Sequence, residues 1–398
     1  MKDRSANVMD ALALNRATLE RQMLLRRVKR PPVEVVELLA GMQAQNPLDP
    51  YLGLWSRIEQ FDPAELANLL VDRKVVRSGL MRGTIHLTSA ADCLGFRPHM
   101  QVIYDRVYGR GRNFGAKLGD DLNAVRADIL EILREAPRTK AEVKVLLAAR
   151  WPQHDPVALS FVLPTVPAVQ VPPRGVWGQT GAARLALSEQ WLAGHPPVEM
   201  AVDQLVLRYL AGFGPASVAD VRQWCGLSGL GEVLERLRPR LVTFRAESGR
   251  ELFDLPEAPR PDPETPAPPR FFPEYDNVFI SHEDRSRIAP PQFRSRMSTV
   301  WLAGQGRNPS ANPTAALSEP ISWSMFSVNG FLSGTWRLDK QKGAATLLVQ
   351  PMVEISDDDA GALAEEGRRM LEFLQPNVAP LNRMVRFVGG NHRAPAPV

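Results

Sequence analysis

Two glutamines separated by one alanine stand where the sequence predicts a helix to stop, in Gly41-Met42-Gln43-Ala44-Gln45-Asn46-Pro47-Leu48-Asp49-Pro50. Pro47 and Pro50 disfavour helical backbone in the residues before them, so the segment reads as an extended turn. In extended backbone, residues two apart point to the same side, which lets the Gln43 and Gln45 amides converge on one point. Amide oxygens accept hydrogen bonds and can orient a water, although a neutral amide is a feeble base. The same pair also fits a helix end whose amides only make structural hydrogen bonds. Asp49 is the rival within the loop: its carboxylate can serve as a general base, or Asp49-Pro50 can be an ordinary turn. Downstream, Thr84 and His86 share one face of a short strand, with Ile85 and Leu87 on the other. His86 reads either as a contact to a bound group or as a histidine satisfied at a core edge, and Arg82 either as a ligand contact or as a surface charge.

Other chemistries have no sequence support. The six histidines, at 86, 99, 154, 195, 282 and 392, show no paired-ligand spacing on a helix, so no metal is expected. Cys93 and Cys225 are the only two cysteines, too few for a disulfide framework or a cysteine-rich metal site. No phosphate-cradling loop, dinucleotide fingerprint or serine-nucleophile elbow is present, and no cofactor is expected. The chain of 398 residues is 44% hydrophobic and 23% charged, with a net charge of +4. That length implies two to four domains. The absence of a signal core or an 18-residue apolar run predicts a soluble intracellular protein without a membrane partner. Charge this weak does not identify a nucleic-acid partner, because what matters is where the charge sits.

The elements that must position these residues recur in one order. Helices after Pro31-Pro32 and after Asp62-Pro63 precede two short strands at residues 75–80 and 84–87, the order of a winged helix. A second unit has helices over 122–134, from Thr139-Lys140-Ala141-Glu142 to about 149, and from Asp155-Pro156, then a hairpin of 169–171 with 176–179. In a third, helices over 198–210, from Ser217 to Trp224, and over 228–237 precede strands at 241–244 and 251–255. Such helix pairs can carry a recognition helix, or pack as inert scaffold. Seven prolines between 256 and 269 then predict an extended, semi-rigid connector. Beyond it, strands are expected at 275–280, 299–302, 325–328, 330–338 and 346–349, with a helix over 358–374 and a frayed tail at 394–398. The expected fold is α+β: winged-helix units over 1–118, 119–195 and 196–256, a linker over 257–272, and a β-barrel-like domain over 273–398.

The glutamine segment, Pro50-Tyr51-Leu52-Gly53-Leu54-Trp55 and Leu80-Met81-Arg82-Gly83-Thr84-Ile85-His86-Leu87 together resemble the AlkZ/YcaQ family of winged-helix DNA glycosylases. Phe272-Pro273-Glu274-Tyr275-Asp276-Asn277, Asp284-Arg285-Ser286-Arg287 and Gly334-Thr335-Trp336-Arg337 are similar to its C-terminal signatures. The resemblance spans nearly the whole chain and implies three tandem winged helices with a C-terminal β-barrel. It implies catalysis by Gln43 and Gln45, in the glutamine-x-glutamine branch that protects producing bacteria from their own DNA-alkylating metabolites. It also suggests that the strand bearing Thr84 and His86 borders the active site, and the position of Asp49 in the glutamine loop makes it a further candidate for that border.

The implied reaction is hydrolysis of bulky cationic N7-alkylguanine from double-stranded DNA by a glutamine-positioned water, extending to interstrand crosslinks. No lyase step is expected, because Lys74 is the nearest downstream lysine to the glutamines in sequence. DNA contacts are expected from Arg82, Arg285, Arg287, Arg294 and Arg296. Residues 285–307 carry five arginines and no acid, and residues 1–30 carry eight basic and three acidic side chains, so either patch can neutralise phosphates. Residues 304–321 form a Gly-, Asn-, Ser- and Pro-rich loop that either touches DNA or does nothing. The protein is expected to work as a monomer in the bacterial cytoplasm. The alternative from another class is a non-catalytic winged-helix transcription regulator or damaged-DNA-binding protein.

Overall fold

The computed structural model describes residues 8–109, 117–293 and 324–389. In the first group of elements, the helix Pro32–Leu38 begins on a proline, and Asp62 caps Pro63–Val71 by accepting from the Ala64 amide. The strands that follow Val8–Met9 (β1) in chain order begin with Met42–Gln43 (β2), Val75–Gly79 (β3) and Ile85–Ser89 (β4). β3 and β4 form a hairpin with Ser78 opposite His86, and β2 adds to β4 with Gln43 opposite His86.

The second group follows the expected helices. Leu122–Glu135 leads to the two-residue strand Arg138–Thr139 (β5), and Thr139 and Glu142 form the anticipated capping box of Lys140–Arg150. Its hairpin differs from expectation. Ala168–Val171 (β6) pairs with Arg184–Leu187 (β7), and residues 176–179 form a loop instead. Pro172 and Pro173 offer no amide protons, and Gly175 and Gly178 take left-handed φ values of 92° and 72°, so the extended run breaks there. Arg77 and Ser78 of β3 pair with Gln170 and Val169 of β6. The two hairpins therefore fuse into one six-stranded sheet ordered β2-β4-β3-β6-β7-β5.

In the third group, Val202–Phe213, Val218–Cys225 and Leu230–Leu237 precede the hairpin Val242–Ala246 (β8) with Glu251–Asp254 (β9). The first of these helices starts at Val202 rather than 198, with the Gln204 side chain accepting from the Ala201 amide. Ser217 and Asp220 cap the second helix reciprocally, and Gly226 ends it at φ 82°. β1 joins this hairpin in parallel with β8. Arg21, at the end of the helix Ala11–Arg21, forms a fully buried pair with Asp254 at 2.7 Å.

The proline-rich stretch is pinned to the body. Arg16 Nε donates to the Thr265 carbonyl at 2.6 Å, and Arg21 Nε to that of Pro259 at 3.3 Å. It ends in Arg270–Phe271 (β10), which opens a five-stranded sheet with Ser324–Val328 (β11), Phe331–Gln341 (β12), Ala344–Pro351 (β13) and Arg383–Phe387 (β14). The sheet curls into a half-barrel, and among the described residues no pairing joins β10 to β14 to close it. β14 lies parallel to β13 after the crossover helix Asp357–Leu374. The strand expected at 275–280 is instead a short 3-10 turn at Asn277–Phe279, because the Asp276 side chain caps it by accepting from the Val278 amide. The expected strand at 299–302, the loop at 304–321 and the tail at 394–398 lie outside the described residues. Tyr51, Trp55, Phe271 and Leu363 belong to one core, which packs the helix after the glutamine loop against the half-barrel.

Asp254 also accepts from Arg260 at 2.6 Å, so it neutralises two arginines. Replacing it with alanine leaves the buried Arg21 uncompensated and is expected to cost about 3–5 kcal/mol, measured by urea unfolding against the wild-type chain.

Candidate active site

Gly41 lets the chain leave the helix Pro32–Leu38 and enter β2. Its φ is 92°, and a Cβ there would sit 2.7 Å from Thr88 Cγ2. Beyond β2 the Ala44 amide continues the pairing by donating to the Ile85 carbonyl at 2.8 Å. The chain then turns into the helix Asp49–Trp55. Arg77 fixes this bend from behind. It is 1% exposed, and it donates to the Ala44 carbonyl and to Gln170 Oε1, both at 2.7 Å. Burial, and after it Arg174, pushes its pKa down to about 10, which still leaves it cationic at neutral pH. The sequence signal for Arg77 is a charge directly after two valines in a short strand.

The two glutamines have different surroundings. Gln43 is buried, and its Oε1 accepts from Arg82 Nη2 at 2.8 Å. Gln45 is exposed, and its Oε1 accepts from the Ile85 amide at 2.8 Å. Each amide oxygen thus has one protein donor and retains a second lone pair. They line different cavities: Gln43 borders a small space of about 10 Å³, and Gln45 borders a larger one of about 340 Å³. The smaller space matches a single water. Gln22, Asp49, Arg57, Tyr275 and Asp276 share its lining with Gln43.

Asp49 is 6% exposed, and its Oδ2 has no hydrogen-bond partner among the described residues. Burial, then the charges of Glu274 and Asp276, raises its pKa well above the carboxylate range, against an opposing effect of Arg77. Thr84 turns its hydroxyl to the Met81 carbonyl at 3.1 Å. His86 is fully buried beside Gln43 in the sheet, with Nδ1 3.1 Å from the Thr84 carbonyl and Nε2 unpartnered among the described residues. Burial, followed by the nearby Arg82, drives its pKa down to about 3, so it is neutral, and it is shielded from any phosphate.

The arginines expected at DNA have different surroundings. Arg82, at φ 57° in the β3–β4 turn, directs its two terminal nitrogens to Gln43 and to the Trp224 carbonyl. Arg287 is 2% exposed, donates to the Pro215 carbonyl at 2.8 Å and lies 4.0 Å from Asp220. Both sit inward because their planar guanidinium groups satisfy buried acceptors between distant segments. Arg285 is half-buried, and burial lowers its pKa. Arg294 and Arg296 lie outside the described residues.

Sequence distance also hid a lysine: Lys140 of the second group lines the same cavity as Gln45. Among the described residues no cluster of three or more His, Cys, Asp or Glu could hold a metal, and no helix is long and apolar enough to cross a membrane.

The raised Asp49 pKa has a consequence for stability. The folded chain keeps this proton where the unfolded chain, at about pH 4, releases it. Wild-type stability from this group therefore falls as pH rises from about 4 through the folded-state pKa. Asp49→Asn, with no proton to lose, is expected to gain on wild type by a margin that is larger at pH 8 than at pH 5. Urea midpoints across that range measure it.

Comparison with known proteins gives a consistent picture. A search of curated proteins finds no match. Among solved structures, the DNA glycosylase AlkZ of Streptomyces sahachiroi superposes with a TM-score of 0.69 at 18% sequence identity, covering 95% of this chain and 99% of that one. At that identity the likeness establishes a shared fold. The family described as DNA glycosylase AlkZ-like matches residues 36–373, which include the glutamine loop, the fused sheet, the third helical group and most of the half-barrel. The chain belongs to the AlkZ-like DNA glycosylase family.

Proposed function

We propose that the protein is a monofunctional glycosylase that hydrolyses bulky N7-alkylguanine from duplex DNA, with Gln43 and Gln45 as the catalytic pair. The three helical groups with their hairpins are read as tandem winged helices that hold the duplex. The observation that carries this reading is the mounting of the glutamine loop. Arg77 grips its peptide, while Arg82 and the Ile85 amide fix its two side chains. Polar groups held this firmly on a sheet edge suit positioning rather than proton abstraction.

N7-alkylguanine already carries a positive charge, so its C1′–N9 bond can break with the electron pair passing to N9 and no prior protonation. The sugar is left as an oxocarbenium-like cation. A water held by the remaining lone pair of a glutamine oxygen adds to C1′, and its proton passes to solvent. Arg82 withdraws electron density from the Gln43 oxygen, which makes that amide an even weaker base and its N–H groups better donors. His86, with its pKa pushed down to about 3, is a weak base beside the loop. A cationic lesion departs on the strength of its own charge, whereas an undamaged base lacks that charge, so cationic lesions are expected to be excised and undamaged bases spared. Unhooking of N7-linked interstrand crosslinks, and self-resistance to a metabolite that makes them, follow from the same chemistry.

The test is incubation with duplex containing 7-methylguanine or a bulkier N7 adduct, followed by alkaline cleavage of abasic sites. Strand breaks above an enzyme-free control are expected from wild type, with Gln43→Ala and Gln45→Ala each reduced by about 10²-fold. Full activity in both variants would rule out the glutamine mechanism. Arg82→Met is expected to lower kcat with little change in KM, because it releases Gln43 without touching the duplex. Borohydride is expected to trap no covalent protein–DNA adduct; a trapped species lost in Lys140→Met would make the enzyme a lyase as well.

A further inference from the structure

The cavity of about 340 Å³ beside Gln45 falls in the size range of small-ligand sites. It lies between the β3–β4 hairpin, the end of the helix Ala90–Tyr104 and the second helical group, and its walls are mostly apolar. The half-buried Tyr108 offers an aromatic face, whereas the buried Tyr104 ring already packs against the Arg97 guanidinium, 4.5 Å from its centroid. Tyr104 and Tyr108 stack with ring centroids 5.9 Å apart and planes 20° from parallel. Gly79 makes room for this pair, because a Cβ there would lie 2.4 Å from Tyr104 Oη.

Two cations share the lining. Arg97 is 4% exposed, and its Nη1 donates to Gln101 Oε1 at 2.8 Å. Its Nη2 is buried with no hydrogen-bond partner among the described residues. Leaving a guanidinium nitrogen in that state is costly unless a ligand meets it. Lys140 stands with its ammonium 4.7 Å from the Phe161 ring centroid. Burial, then the neighbouring Lys144, lowers its pKa. The nearby carboxylate, Asp105, is engaged by Arg126 at 2.6 Å.

A bare phosphate would satisfy the cations and leave the apolar walls unfilled, and a pure hydrocarbon would do the reverse. A flat aromatic group carrying an oxygen acceptor satisfies both. Gln45 lines the same space, so the occupant belongs to the nucleotide whose sugar is being attacked.

We propose that this cavity is a subsite for the aromatic, oxygen-bearing substituent of the modified base, with the ring against Tyr108 and the oxygen facing Arg97 and Lys140. The inference rests on the glycosylase reading and adds to it the chemical class of the adduct. The substituent is anchored away from the duplex, so the lesion can be held without enclosing the whole nucleotide in a closed pocket.

Two measurements test it. The first compares kcat/KM for duplexes bearing 7-phenacylguanine or 7-methylguanine. Wild type is expected to favour phenacyl at least tenfold. Ala183→Trp, which fills the cavity from its lining, and Lys140→Met are each expected to shrink that ratio at least tenfold, with thermal midpoints reported for both variants. An unchanged ratio in folded variants would overturn the proposal, as would equal losses on both duplexes, which would mean that the cavity takes the base itself. The second follows the fluorescence anisotropy of 2-anthracenecarboxylate with the full chain. Saturable binding, weakened at least tenfold in both variants, is expected; no saturation, or equal binding by the variants, counts against the subsite. If neither duplex yields abasic sites, the glycosylase reading falls, and the cavity is judged on the anthracenecarboxylate titration alone.

Discussion

The buried pair of Arg57 and Asp276 joins the helix after the glutamine loop to the segment that follows the first strand of the half-barrel, beside the candidate site. Both side chains are almost fully enclosed, and two parallel hydrogen bonds of 2.8 Å join them. Arg57 follows the helix Asp49–Trp55 and also donates to the Gly53 carbonyl, while Asp276 caps the turn that leads away from the half-barrel. Losing either partner would strand a charge beside the cavity that Gln43 and Asp49 line, a cost of about 3–5 kcal/mol. The geometry of the glutamine loop thus depends on an interaction between residues 219 apart in sequence.

Around that anchor, cations organise the site without joining the proposed chemistry. Arg77 and Arg82 remain charged although burial lowers both to about 10. Each spends its donors on protein acceptors: the Ala44 peptide and Gln170 for Arg77, the Trp224 peptide and Gln43 for Arg82. Arg82 thereby ties the loop to the third helical group. Desolvation, with the positive charge of Arg82, keeps His86 neutral, whereas desolvation and two neighbouring acids raise the pKa of Asp49. Gln43 thus borders a space it shares with Asp276, whose carboxylate is tied to Arg57, while the buried His86 beside it stays neutral.

Much of the local structure was legible because its causes are local. The caps at Asp62, Thr139 and Ser217, the glycine stop at Gly226 and the crossover helix near 357–374 all follow from neighbouring residues. The failures have a common origin in long-range partners. Residues 275–280 have strand-forming side chains, but Asp276 is drawn to Arg57 and caps a turn instead. Residues 176–179 lost their strand to 184–187, which pair with β6 and complete a sheet shared by two helical groups. Arg287 looked like part of a basic patch, yet it is buried against the Pro215 carbonyl.

The sequence by itself determined the order of elements, the family signatures and the presence of a Gln43-Ala44-Gln45 segment in a proline-bounded turn. Those are properties of adjacent residues, set by capping, periodicity and backbone restriction. Tertiary structure decided what each glutamine faces. It gave Gln43 a buried arginine and a water-sized cavity, and gave Gln45 a strand amide and a larger, aromatic, cationic space. It also brought Lys140 to that space and turned Arg82 and Arg287 inward. The physical reason is that desolvation and charge pairing act through space, so the state of Asp49, His86 and the arginines was fixed only when segments far apart in sequence closed over them.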